Sequence, residues 1–315
     1  METRLGVALW NQATDWASFE GAAKRVDEFG YNHIWTWDHL YAIFGDPYQP
    51  IFEGYTTLAA FAKLTTRARL GLLVGANTFR NPGLVAKMVT SLDHISDGRA
   101  ILGIGGAWFE LEHTAFGIEF GTGIGQRLDW LDEAVGAMRA ALDGEELSSG
   151  PGGRYRFDHL RVLPRPVQKR LPIMIGGGGE KKTLRTVAKY ADMWNVMGTL
   201  EVVRHKREVL LAHCEAVGRD PAQIEQTIGC KPVIRDTVEE ARRVWEAQMA
   251  HNRTPLSEVE DDDTFWLGTP EQLASMMIDR KKLGYHTFIA EMPAPYDAET
   301  LERWIGEVKP MVDAA

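Results

Sequence analysis

Short apolar runs alternate with longer segments in which apolar residues return every three or four positions, from one end of the chain to the other. The short runs predict strands at Leu5–Trp10, His33–Trp37, Arg69–Asn77, Arg99–Gly105, Pro172–Ile175, Met193–Val196, Thr227–Ile234 and Thr287–Glu291. The longer segments predict helices near Asp15–Gly30, Gly54–Thr65, Pro82–Ser96, Gly125–Leu142, Glu180–Tyr190, Val202–Val217, Val238–Ala250, Pro270–Leu283 and Ala298–Val312. Eight strand-and-helix units in succession predict an α/β fold, the (β/α)8 TIM barrel.

Helix starts support this reading. Asn81-Pro82 supplies an N-cap followed by proline at the first helical position, and Thr269-Pro270-Glu271-Gln272 repeats the arrangement. The length beyond the roughly 250 residues of a minimal barrel falls in two insertions. One, at about 144–171, holds Ser148-Ser149-Gly150-Pro151-Gly152-Gly153 and reads as a glycine-rich turn leading into a small extended excursion. The other, Asn252 to Gly268, carries the acidic run Glu258 to Asp263, read as a solvated face. Neither has the apolar periodicity of a second core, so residues 1–315 are expected to form a single domain.

With 35 basic and 44 acidic residues the net charge is −9, which argues against a nucleic-acid or anionic-membrane surface and favours a small-molecule substrate. Cys214 and Cys230 form neither a CxxC nor a metal-binding spacing. That cysteine usage fits a reduced, cytoplasmic setting, and neither a signal-peptide pattern nor a membrane-spanning stretch is visible. There is no HExxH motif and no GxSxG elbow, and no metal site is expected.

The most telling segment is Ile175 followed by Gly176, Gly177, Gly178 and Gly179, with a helix expected to start at Glu180. Four glycines in a row are costly to order. Backbone N–H groups at a helix N-terminus that cradle a phosphate would compensate, with Lys181 and Lys182 adding charge. The alternative is a tight strand-to-helix turn, for which fewer glycines suffice.

Active residues of a barrel lie at the C-terminal ends of its strands. Those ends here carry Trp37-Asp38-His39, Gly75-Ala76-Asn77, Gly105-Gly106-Ala107-Trp108 and Trp194-Asn195. This rim of aromatics and glycines suits a flat ligand with a phosphate tail. His39 is the acid/base candidate, because an imidazole can give or take a proton near neutral pH; the alternative is a histidine tying down its loop. Asp38 is expected to orient His39 or to accept a cofactor N–H, and Glu112-His113 to make a structural hydrogen bond.

These segments, with Leu92-Asp93-His94-Ile95-Ser96-Asp97-Gly98-Arg99 and Ala191-Asp192-Met193-Trp194-Asn195, resemble the luciferase-like monooxygenase superfamily, and within it the oxidoreductases dependent on the deazaflavin coenzyme F420. The resemblance implies a bacterial luciferase-like barrel with the cofactor over the strand ends. The cofactor would be held by Asp38, Gly75, Ala76, Asn77, Gly106, Ala107, Trp108, Gly176, Gly177, Gly178, Gly179 and Glu180, with a non-prolyl cis peptide near Gly75-Ala76. His39 would be the catalytic residue. Two positions depart from the sugar-phosphate dehydrogenases of that group: Trp108 stands where they carry a glutamate, and Ile43 where they carry a tryptophan. The expected activity is hydride transfer between F420 and a small organic substrate, more as a reductase, in a homodimer. The alternatives are a flavin monooxygenase using FMN and a non-catalytic cofactor-binding barrel.

Overall fold

The computed structural model describes residues 2–315. Ten strands run in chain order: β1 Arg4–Leu9, β2 His33–Thr36, β3 Arg69–Leu72, β4 Gly75–Ala76, β5 Ala100–Gly105, β6 Ile173–Gly176, β7 Met193–Val196, β8 Glu225–Ile234, β9 Phe265–Gly268 and β10 Thr287–Met292. Parallel pairing follows the order β10-β1-β2-β3-β5-β6-β7-β8, and β8 pairs with β10 to close the ring. The eight-stranded (β/α)8 barrel expected from the alternating pattern is therefore present.

Its helices are α1 Trp16–Phe29, α2 Gly54–Leu64, α3 Pro82–Ile95, α4 Glu110–Phe116, α5 Ile124–Asp143, α6 Thr183–Tyr190, α7 Leu200–Val217, α8 Val238–His251, α9 Pro270–Lys282, α10 Ala298–Arg303 and α11 Lys309–Ala314. The predicted caps form. The Asn81 side chain accepts from Gly83 N at 2.8 Å with Pro82 in the first turn, and Thr269 and Gln272 make a reciprocal capping box.

Strand alternation sorts the apolar residues into two layers. Leu5, Val7 and Leu9 of β1 face the helices, in a core shared with Phe19, Leu58, Val89, Leu131 and Leu184. Ala8, Trp35, Ile101, Met174, Met193 and Ile289 point into the barrel. The fully buried Trp35 ring fills that interior beside Gly71, where a Cβ would come within 2.5 Å of the indole.

The structure departs from the sequence pattern in identifiable places. The run Arg69–Asn77 is divided into β3 and β4 at Leu73-Val74, whose peptide bond is cis, two residues before the expected Gly75-Ala76. The long β8 outruns the barrel, and its end, Lys231–Ile234, pairs with β9 from the second insertion. That pairing is the reason part of the expected loop is a strand. The last helix is interrupted by a π-helical segment at Trp304–Val308. The first insertion is a small hairpin held by the Leu147↔Leu160 bridge, as its composition implied. It is fastened to α5 through Glu133, which accepts from the backbone N–H groups of Arg154 and Tyr155.

The backbone entering β4 lies directly against β5. A Cβ on Gly103 would sit 1.8 Å from the carbonyl oxygen of Leu72, a main-chain atom that cannot swing away. Gly103→Ala is expected to destabilise the fold by about 3 kcal/mol or more, measured by urea denaturation. A loss below about 1 kcal/mol would show that this approach is not a constraint on the barrel.

Candidate active site

The C-terminal ends of the strands surround a cavity of about 600 Å³, within the range that takes a cofactor-sized ligand. One wall is the loop after β2. His39 Nδ1 lies 3.0 and 3.3 Å from the two carboxylate oxygens of Glu112, and the same carboxylate accepts from Leu40 N at 2.8 Å. Glu112 is 1% exposed and sits on α4, the short helix after β5. With Nδ1–H donating to Glu112, Nε2 is the nitrogen left for the cavity, beside the edge of the Trp108 ring. Glu112 therefore orients His39, the task that the sequence had suggested for Asp38. His113 is the structural partner of the pair: its Nε2 meets Thr78 Oγ1 at 2.6 Å and its Nδ1 the carbonyl of Phe109 at 2.7 Å.

Asp38 is buried and committed elsewhere. Its carboxylate takes a two-pronged ion pair from Arg80, at 2.7 and 2.9 Å, and accepts from Ala76 N at 2.9 Å. Arg80 also reaches Glu53, whose side chain caps α2. Asp38 thus locks the β2 end to β4 and α2 while its edge lines the cavity.

The opposite wall is the glycine run. Gly176, Gly177, Gly178 and Gly179 all line the cavity, with Thr183 and Lys206 beside them. The helix begins at Thr183, three residues later than the sequence suggested, because Glu180, Lys181 and Lys182 form a turn. The glycines are not equivalent. Gly177 has φ +117°, and its N–H is already donated to the carbonyl of Asn195 at 3.0 Å. Gly178 has no such torsional requirement, and a Cβ there would meet the Lys206 side chain at 3.5 Å. Glu180 does not line the cavity. It is exposed and pairs with Lys206 at 2.6 Å and His205 at 3.1 Å, holding the lysine near the glycines.

Gly75, Ala76, Gly106, Ala107 and Trp108 line the cavity as expected, between the two walls. Asn77 does not, since its amide donates to the Tyr155 hydroxyl at 3.0 Å on the outer side of the barrel. Leu73, Val74, Leu128 and Met197 add apolar surface. The sequence reading passed over two buried charged residues of the lining, Lys231 on β8 and Glu291 on β10. Both carried a signal: an ionisable residue near the C-terminal end of an otherwise apolar strand. Burial pushes the Glu291 carboxyl above its ordinary range, against the opposing pull of Lys231. Among the described residues no cluster of three or more His, Cys, Asp or Glu is placed to hold a metal ion, and no helix is long and apolar enough to cross a membrane.

Residues 2–287 match the luciferase-like monooxygenase family. The chain belongs to that family. It is 29% identical over 188 residues to an uncharacterised protein of Mycobacterium tuberculosis, covering 60% of this chain and 65% of that one. It is 27% identical over 209 residues to the 5,10-methylenetetrahydromethanopterin reductase of Methanolobus tindarius, covering 64% of this chain and 57% of the reductase. The matched segments therefore span less than two thirds of both relatives. In fold this luciferase-like protein superposes on an F420-dependent secondary alcohol dehydrogenase with a TM-score of 0.84 at 18% identity, covering 99% of each chain.

Two substitutions test the wall assignments. Gly178→Val is expected to leave the thermal midpoint within a few degrees while weakening cofactor binding at least about tenfold, roughly 1.4 kcal/mol, read by fluorescence quenching. Unchanged affinity would remove the glycine run from the binding site. Asp38→Ala leaves the Arg80 guanidinium buried without its main partner and is expected to cost about 3 kcal/mol of stability by chemical denaturation. A cost near zero would mean that Asp38 does not hold the wall together.

Proposed function

We propose that this luciferase-like protein is an oxidoreductase that uses coenzyme F420 to transfer a hydride to a small organic substrate, acting as a reductase. One observation carries the reading: a single cavity is bounded by the glycine run with Thr183 and Lys206 on one side and by an oriented histidine on the other. The residues present fit a deazaflavin. Backbone at Gly178, the Thr183 side chain and Lys206 would hold the phosphate, and Leu73, Val74, Gly106, Ala107 and Trp108 would flank the ring. The reduced deazaflavin supplies hydride when bound.

The protein's own contribution is to place and move a proton. Glu112 fixes the His39 ring through Nδ1, so that Nε2 can pass a proton to a substrate heteroatom in the cavity. The apolar lining excludes water from that transfer. Trp108, which stands where related sugar-phosphate dehydrogenases carry an acid, adds an aromatic surface, and this supports reduction of an uncharged compound over oxidation of a sugar phosphate.

Titration with both cofactors tests the proposal. Coenzyme F420 is expected to bind at least about tenfold more tightly than FMN, about 1.4 kcal/mol by calorimetry. Equal or tighter FMN binding would make the protein a flavin-dependent member of the family. His39→Ala is expected to slow single-turnover hydride transfer at least about 10²-fold with cofactor affinity little changed. Near-full turnover in that variant would assign the proton to solvent.

A further inference from the structure

The wall between His39 and β8 holds a carboxylate that no ion pair of the fold employs. Glu291 is 8% exposed and lines the cavity, yet it joins no ion pair among the described residues. Lys231, whose charge acts on it, is taken by Asp262 at 3.0 Å and by Thr264 Oγ1 at 2.5 Å. The indole N–H of Trp10, buried without any other partner, is turned toward the Glu291 carboxyl. Its ring stacks 4.3 Å from that of Phe44 and lies 4.6 Å from that of Trp37. Phe44, Trp37 and Ile43 continue this aromatic and aliphatic corner along the cavity. A buried carboxyl without an ion pair in an apolar corner is destabilising unless something else makes use of it.

We propose that Glu291 is the substrate anchor of this cavity: its carboxyl group donates a hydrogen bond to the acceptor heteroatom of a small uncharged carbonyl or imine compound whose apolar body packs on Trp37, Ile43 and Phe44. Burial favours the neutral acid. Desolvation raises its proton affinity and Asp262 before β9 adds to it, against Lys231 on β8, the Trp10 indole N–H and His39 after β2, of which Lys231 is already paired with Asp262. The anchor rests on the reductase reading for the second reactant, but its protonation does not.

The test uses Glu291→Gln, which keeps a neutral donor of the same shape, and Glu291→Leu, which cannot donate. In the cofactor-free protein, infrared titration is expected to show a protonated-carboxyl C=O stretch that persists above the ordinary carboxylate range and is missing in both variants. With F420 bound and cyclohexanone as probe, the ketone C=O stretch is expected to shift to lower frequency in wild type and in Glu291→Gln. In Glu291→Leu the shift is lost, with binding about tenfold weaker, the loss of one hydrogen bond. Probe binding to wild type weakens as pH rises and the acid ionises, whereas in Glu291→Gln it is flat with pH. Because the folded-state proton affinity is raised, stability in wild type falls as pH rises above the unfolded value of 4.5, and Glu291→Gln is expected to melt higher than wild type at pH 8. The anchor is overturned if no carboxyl stretch disappears in the variants, if Glu291→Leu shifts the ketone as wild type does, or if Glu291→Gln loses probe binding. Failure of F420 to bind would overturn the cofactor reading and leave the infrared titration to decide Glu291 by itself.

Discussion

The ion pair between Asp38 and Arg80 is the joint on which the geometry of this site depends. Strand ends in a barrel are tied laterally only as far as their ladders run, and β2 stops at Thr36. Beyond that point Asp38 continues the connection with its side chain. It grips the Ala76 N–H on β4 and the Arg80 guanidinium, and through Arg80 it reaches Glu53 at the start of α2. A buried pair is worth little against an apolar replacement, but removal of one member strands the other. Its value is therefore positional: it sets where the next residue, His39, emerges.

From that joint the cavity acquires two chemically different sides. The glycine side is made of backbone and of cations held in reserve by carboxylates, with Lys206 on Glu180 and Lys182 on Asp129. The histidine side is made of buried side chains that hold one another in a fixed order, Glu112 behind His39 and His113 behind Thr78. A ligand that is anionic at one end and planar at the other meets complementary chemistry at both.

Such an arrangement accepts local instability where chemistry is done. Gly103 and Gly71 admit no side chain because main chain and the Trp35 ring come too close, and Glu291 lies buried without a counter-ion. All three positions lie on barrel strands that end at the cavity.

Alternation of apolar runs and helical periods was sufficient to read the barrel, because each strand is buried on both faces and each helix on one. Cap residues at Asn81 and Thr269 placed helix starts correctly, since a cap is a local bond. The glycine run and the Asp38-His39 pair marked the two walls for a similar reason: their residue types have few other uses at a strand end. What local pattern did not hold was partnership. Glu112 comes from α4, 73 residues from His39, and the sequence paired His39 with its neighbour Asp38, whereas the fold turns Asp38 toward Arg80. The helix after the glycines begins at Thr183 and not at Glu180, which lies in a turn and pairs with Lys206 and His205 from another helix. Lys231 and Glu291 lie 60 residues apart in sequence and meet only because β8 and β10 close the ring. Sequence by itself determined the elements and the residue types at the mouth; closure of the barrel decided which of them face one another, because hydrogen bonds and ion pairs act over a few ångströms of space and not along the chain.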